Sequence, residues 1–302
     1  MMAESKGEEP RASGAGRGEK VQSWGKNVLV EFEDGIAWVS LNRPEKRNAM
    51  NPALNDEMVR VLDALETDAR CGVMVLTGTG DSFTAGMDLR EFFRDTDSVP
   101  HVERMRAYRS ASEWHWRRLL QYYKPTIAMV NGWCFGGGFT PMIACDVAVA
   151  ADDAVFGVSE INWGIIPGGN VSKVLSLVMN QRKALYYIMT GETFTGKQAA
   201  EMGVVTESVP RAKLRERTTQ VAKILLGKNP TALRQAKVAF KFMPDMTWES
   251  SSDFLTAKID QMKFIDTEQG RATAMAQFLD DKTFRPGLET FRRKDAPKNP
   301  KE

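Results

Sequence analysis

Three stretches of this 302-residue chain carry residue types and spacings suited to chemistry on a developing anion. The first runs from the apolar strand-like Ala128-Met129-Val130 through Asn131-Gly132-Trp133-Cys134-Phe135 into Gly136-Gly137-Gly138 and on to a helix-compatible segment. Backbone N–H groups presented at such a helix start attract negative charge. The second repeats that design, with a buried strand leaving through Gly78-Thr79-Gly80 toward Phe83-Thr84-Ala85-Gly86-Met87-Asp88-Leu89 and a new helical segment. If adjacent strands set the two junctions side by side, one N–H from each grips a single oxygen, which is the construction of an oxyanion hole. A thioester carbonyl becoming an enolate is a suitable guest. The third stretch, Val158 to Asn170, opens with Ser159-Glu160 and continues through an apolar loop bearing Trp163, Gly164 and Gly168. Partial desolvation there raises a carboxyl toward the range useful for acid–base work. Taken singly, the glycines also suit a tight turn and Glu160 a solvated loop, so their convergence decides.

Other chemistries lack their residues. No Lys-Ser or Lys-Thr follows the glycines, and there is no dinucleotide fingerprint, metal-ligand cluster or Ser/His/Asp order. His101 and His115 fall in a charged helical stretch and read as surface or interhelix residues. Lys and Arg number 41 against 39 Asp and Glu, and no long single-sign block occurs, which argues against nucleic-acid and membrane partners. Cys71, Cys134 and Cys145 sit in apolar runs without ligand spacing, as reduced buried thiols in a cytoplasmic protein would. Neither a secretory leader nor a run of roughly 18 apolar residues is visible.

The elements that must position these stretches follow from periodicity. Residues 1–26 are rich in Gly, Ser and charge and read as a mobile tail. Val28–Glu33 and Ile36–Leu41 are β-rich and joined by Asp34-Gly35, a tight hairpin turn. Asn51 caps a helix that starts at Pro52 and places Leu54, Met58, Val61, Leu62 and Leu65 on one face. Further strands are expected at 72–77, 126–131, 146–150, 154–157 and 204–209, and helices at 101–123, 170–179, 181–189 and 196–202. Beyond 211 the pattern is helical. This predicts an α/β core over 27–210, a helical region over 211–285 and a C-terminal tail over 286–302.

Five motifs in order resemble the enoyl-CoA hydratase/isomerase (crotonase) superfamily across residues 27–285. They are Leu41-Asn42-Arg43-Pro44 with Asn48-Ala49-Met50, Phe83 to Leu89, Val130-Asn131-Gly132 with Gly136-Gly137-Gly138, Cys145-Asp146, and Ser159-Glu160. The resemblance implies a spiral of repeated ββα units with a helical C-terminal trimerisation region, hence a homotrimer or dimer of trimers. It implies an acyl-CoA substrate and no cofactor, CoA being part of the substrate. The N–H groups of Met87 and Gly137 would hold the thioester oxygen, and Glu160 would be the acid–base residue. Carried over by position, CoA contacts fall at Lys46, Ala85, Leu89, Phe135, Gly136, Ser159, Trp163 and Gly168.

Within the superfamily the runs Ala85 to Phe93, Val130 to Phe139 and Ser159 to Ile165 most resemble the hydratase-lyases of hydroxycinnamoyl-CoA thioesters. That implies hydration of feruloyl-, coumaroyl- or caffeoyl-CoA and retro-aldol cleavage to an aromatic aldehyde such as vanillin and acetyl-CoA. Many hydratases carry a second glutamate three residues after the oxyanion glycine; here that position is Thr140, as in the lyase branch. Two tyrosines that hold the phenol in that branch correspond here to Phe92 and Thr256, leaving Thr256, Tyr108 or water to replace them. The alternative is an enoyl-CoA hydratase or isomerase that does not cleave carbon–carbon bonds and takes a non-phenolic acyl group. A non-catalytic acyl-CoA- or RNA-binding protein is a third reading, opposed by Glu160 and the near-neutral charge.

Overall fold

The computed structural model of the chain describes residues 19–285 and 287–293. Residues 1–18, 286 and 294–302, which the sequence assigns to the two tails, lie outside the described residues.

Asp34 and Gly35 both take positive φ, 49° and 81°, and their turn joins β2 (Val28–Glu33) to β3 (Ile36–Leu41) with Glu33 opposite Ile36. Before them lies β1 (Glu19–Ser23), paired antiparallel with β2. This corrects the expected tail: its last residues are strand, and the Lys26 and Asn27 amides donate to the Glu57 carboxylate at 3.2 and 2.8 Å. Polar composition hid a strand that pairs through its backbone.

From β3 onward the chain winds in repeats. Long strands β4 (Val73–Gly78), β6 (Thr126–Val130), β8 (Val147–Ala151) and short β11 (Glu207–Val209) run parallel beside β3, giving the order β1-β2-β3-β4-β6-β8-β11. β4 and β6 are buried throughout, as their unbroken apolar runs require. Each long strand is followed by a three-residue strand of a second sheet: β5 (Ser82–Thr84) after β4, β7 (Trp133–Phe135) after β6, β9 (Val155–Gly157) after β8. β5, β7 and β9 are parallel neighbours, and β10 (Thr193–Thr195) closes the sheet against β9. This is the spiral of ββα units that the motifs imply.

Helix Pro52–Thr67 is capped by the Asn51 side chain, which accepts from the Leu54 amide, and its expected apolar face is wholly buried. Fully burying side chains of this size stabilises by about 1.5–3 kcal/mol each. Phe139, Phe156 and Phe194 fill the space behind the second sheet, with Phe156 and Phe194 stacked at 5.4 Å. The three cysteines are free and buried, and burial pushes the Cys71 thiol up to about 11 and the Cys145 thiol up to about 12.

Helices Leu214–Leu226, Pro230–Phe242, Trp248–Ile265 and Gly270–Leu279 form the helical region. Asp146, at the start of β8, holds it to the core: its carboxylate accepts from Lys237 at 2.9 Å and Lys241 at 2.5 Å. Burial alone would raise that carboxyl, but the two ammonium groups hold it below the usual carboxylate range. Part of the expected C-terminal tail is also anchored, because the Arg293 guanidinium spans Glu268 and the Leu226 and Lys228 carbonyls. No helix among the described residues is long and apolar enough to cross a membrane.

Candidate active site

The three stretches singled out in the sequence leave the C-terminal ends of three adjacent parallel strands. Ala85-Gly86-Met87 follows β5, Gly136-Gly137-Gly138 follows β7, and Val158-Ser159-Glu160 follows β9. Sheet order thus places the glycine turn between Met87 and Glu160.

The contacts are close. A methyl group on Gly86 would lie 2.6 Å from the Phe135 carbonyl and 3.2 Å from the Gly137 nitrogen. One on Gly137 would lie 3.6 Å from the Met87 nitrogen and 3.0 Å from its side chain. The two junctions therefore meet backbone to backbone, and Gly86 (φ 90°) and Gly136 (φ 46°) adopt conformations that favour glycine. Gly136 to Gly138 form a helical turn whose first amides have no acceptor within the helix. Met50 bonds Gly86 and Asp88 on either side of Met87, through Met50 N–H to the Gly86 carbonyl and Asp88 N–H to the Met50 carbonyl. Met87 is thereby paired with Met50 in a parallel bridge that leaves its own N–H out of both bonds.

Glu160 completes the cluster. A methyl group on Gly136 would meet its Oε1 at 3.0 Å, and its Oε2 is shielded from solvent without a hydrogen-bond partner among the described residues. Burial pushes its carboxyl above the usual range, against a lowering bond from its own backbone N–H. A partly desolvated carboxyl with one oxygen free, beside two backbone donors, is equipped to exchange protons with a bound thioester.

The polar motif after β3 props up the Met87 junction. The Asn48 side chain bonds the Thr79 and Ser82 carbonyls, and the Arg43 guanidinium spans Ala49, Asp88 and Glu91 at 2.6 to 2.9 Å. Asp88 in turn caps a π-helical turn, Leu89–Arg94. Although burial pushes its carboxyl up, the Glu91 amide and Arg43 hold it below the usual carboxylate range.

These segments enclose a cavity of about 1220 Å³. Lys46, Ala85, Met87, Leu89, Phe92 and Phe135 line it, as do Gly136, Gly137, Ser159, Glu160, Trp163 and Gly168. Two expected site residues do not. Thr140 is fully buried and its hydroxyl donates to the Gly169 carbonyl at 2.8 Å, which braces the loop wall from behind. Thr256 lies exposed on helix Trp248–Ile265, bonded to the Ser252 carbonyl, outside the cavity of its own chain. The position of Thr256 rested on alignment alone, with no local geometry to fix it.

A family model described as enoyl-CoA hydratase/isomerase matches residues 31–285. The chain belongs to the enoyl-CoA hydratase/isomerase family. Among curated members, the hydroxycinnamoyl-CoA hydratase-lyase of Pseudomonas fluorescens is 58% identical over 89% of this chain and 97% of its own length. The 2,3-dehydroadipyl-CoA hydratase of Escherichia coli K12 is 30% identical over 85% of this chain and 96% of its own. An enoyl-CoA hydratase subunit of Geobacillus kaustophilus superposes with a TM-score of 0.77 at 28% identity, covering 87% of this chain and 98% of that one.

In this family member, sequence reasoning named only Tyr108 as a site residue from one cavity wall. Tyr108, Ala111, Ser112, His115 and Trp116 line it from a single helix face. His115, expected at the surface or between helices, is a buried cavity residue. The signal was present in the i, i+3, i+4, i+7, i+8 spacing, but intervening arginines and glutamates made the segment read as solvated. Arg47 and Arg90 also line the cavity, and Arg47 lies 4.1 Å over the Trp133 ring.

Proposed function

We propose that this enzyme hydrates an aryl-propenoyl-CoA thioester such as feruloyl-CoA and cleaves the hydrated product to an aromatic aldehyde and acetyl-CoA. The observation that carries the reading is the Glu160 carboxyl, its Oε2 without a partner among the described residues, set against the glycine turn beside Met87. High identity to a hydroxycinnamoyl-CoA hydratase-lyase along nearly its full length selects this chemistry within the family.

In the first stage Glu160 takes a proton from water as the oxygen adds to Cβ. The electron pair moves to the thioester oxygen, where the Met87 and Gly137 amides hold the enolate. Glu160 then returns the proton to Cα, giving the β-hydroxyacyl thioester. In the second stage Glu160 takes the β-hydroxyl proton, the Cα–Cβ bond breaks, and the aldehyde leaves. The acetyl-CoA enolate, again held by the two amides, recovers the proton at Cα. One oxyanion hole serves both stages because the same anion forms twice. Only protons and one water move, so no cofactor beyond the substrate's CoA is required. Lys46, Arg47 and Arg90, exposed cations on the cavity wall, suit the CoA phosphates. Ala85, Leu89, Phe135, Ser159, Trp163 and Gly168 supply the surface along which the thioester arm lies.

Product analysis on feruloyl-CoA tests this: equal amounts of vanillin and acetyl-CoA are expected. Accumulation of β-hydroxyacyl-CoA without aldehyde would instead establish a simple hydratase.

The assembly we propose is a homotrimer or dimer of trimers. Helix Trp248–Ile265 has no buried residue, and Trp248 and Phe264 are 89% and 92% exposed, an apolar surface that suits burial against another copy. Light scattering on the purified protein should give a mass of three or six chains, and a monomer at micromolar concentration refutes it. Free, buried thiols suit a cytoplasmic location.

A further inference from the structure

The cavity wall formed by the helix face from Tyr108 to Trp116 contains a polar group that the proposed reaction does not use. His115 lines the cavity yet is 4% exposed, and its Nε2 is shielded from solvent with no hydrogen-bond partner among the described residues. No water-sized group reaches Nε2 from the cavity, so a bound partner meets the ring at Nδ1, which makes no hydrogen bond among the described residues, or at Nε2 once the ring turns over. Its neighbours do not supply it: Trp114 packs edge-on at 4.4 Å but gives its own N–H to Asn55.

Exposure falls along this helix face from Tyr108, 38% exposed, to Ala111, 5%, and His115, 4%. Two helical turns, about 10 Å, separate Tyr108 from His115. The wall therefore closes in toward His115, while Tyr108 stands where water reaches its hydroxyl. Phe92 packs on Tyr108 at 5.0 Å and offers no hydrogen bond. Phe92 and His115 both line the cavity and both belong to π-helical turns, Phe92 in Leu89–Arg94 and His115 in Glu113–Arg118. Such inserted turns re-aim side chains and are common at functional sites.

We infer that His115 hydrogen-bonds a hydroxyl on the ring of the acyl group and is the residue that selects a hydroxylated ring. The inference rests on the proposed cleavage of an aryl-propenoyl thioester. Burial pushes the imidazole down to about 3, so at neutral pH it is uncharged, with one donor and one acceptor nitrogen. A phenol can serve either. A carboxylate would enter this apolar pocket end without a countercharge, which disfavours acidic acyl groups. A site built to pair a substrate hydroxyl discriminates against the analogue lacking it, by as much as about 10⁴-fold.

The test compares kcat/KM for 4-coumaroyl-CoA and cinnamoyl-CoA, which differ by one hydroxyl. In the unmodified protein the ratio should be at least about tenfold in favour of the hydroxylated thioester. In His115→Phe it should fall to about one, chiefly through KM for 4-coumaroyl-CoA, and His115→Gln, whose amide still pairs, should recover most of it. A ratio near one in the unmodified protein, an unchanged ratio in His115→Phe, or an equal fall for both thioesters overturns the proposal. Loss of the ratio in Tyr108→Phe instead gives the hydroxyl to that residue and also overturns it. If neither thioester is cleaved, the lyase reading fails alone, and the ratio of their dissociation constants by calorimetry then decides on His115 by the same criteria.

Discussion

Glu160 stands where folding gains nothing from a carboxylate: half-buried, with one oxygen shielded and unpaired. Its raised pKa has a consequence for stability. Below the unfolded value, about 4.3, the group is protonated in both states and costs nothing. As pH rises through the folded value, the native state must ionise a desolvated group and stability falls. Glu160→Gln should therefore raise the melting temperature at pH 8, by about 2 °C, and lose that advantage below pH 4, as calorimetry would show. The residues gathered at the strand exits were largely legible in the sequence because their placement depends on backbone type: glycines and one carboxyl after short strands. His115 was not, because its role depends on which face of a helix turns inward.

At the scale of elements, the site is a product of strand order. Met87, the glycine turn and Glu160 converge because β5, β7 and β9 are neighbours, although Met87 and Glu160 lie 73 residues apart in the chain. β5, β7 and β10 are only three residues long and carry no usable periodicity, so the sequence showed them as loops. The long strands and most helices were visible because apolar runs and Asn, Gly and Pro boundary signals mark them. Asp146 is the corresponding element-level tie, joining β8 to helix Pro230–Phe242 through Lys237 and Lys241. Removing it leaves two largely buried ammonium groups without their shared counter-charge, so Asp146→Ala should destabilise by about 3–5 kcal/mol in urea unfolding.

For the whole molecule, the α/β core and the helical region play different parts. The core supplies the residues that line the cavity, while the helical region packs on the core through Leu214 and Ala222, is tied to it at Asp146, and bears exposed apolar side chains. The expected tails take in β1 and the Arg293 anchor, since both depend on backbone and guanidinium contacts with distant residues that the sequence does not display. The central claim is that one glutamate and one pair of amides serve both hydration and cleavage. It is tested most directly by supplying the β-hydroxyacyl intermediate, 3-hydroxy-3-(4-hydroxyphenyl)propanoyl-CoA, to the unmodified protein and to Glu160→Gln. The unmodified protein should yield both 4-hydroxybenzaldehyde, by cleavage, and coumaroyl-CoA, by reverse hydration. In Glu160→Gln both rates should fall together, by at least about 100-fold, with CoA-thioester binding retained. Cleavage that persists at its original rate while dehydration is lost would contradict it.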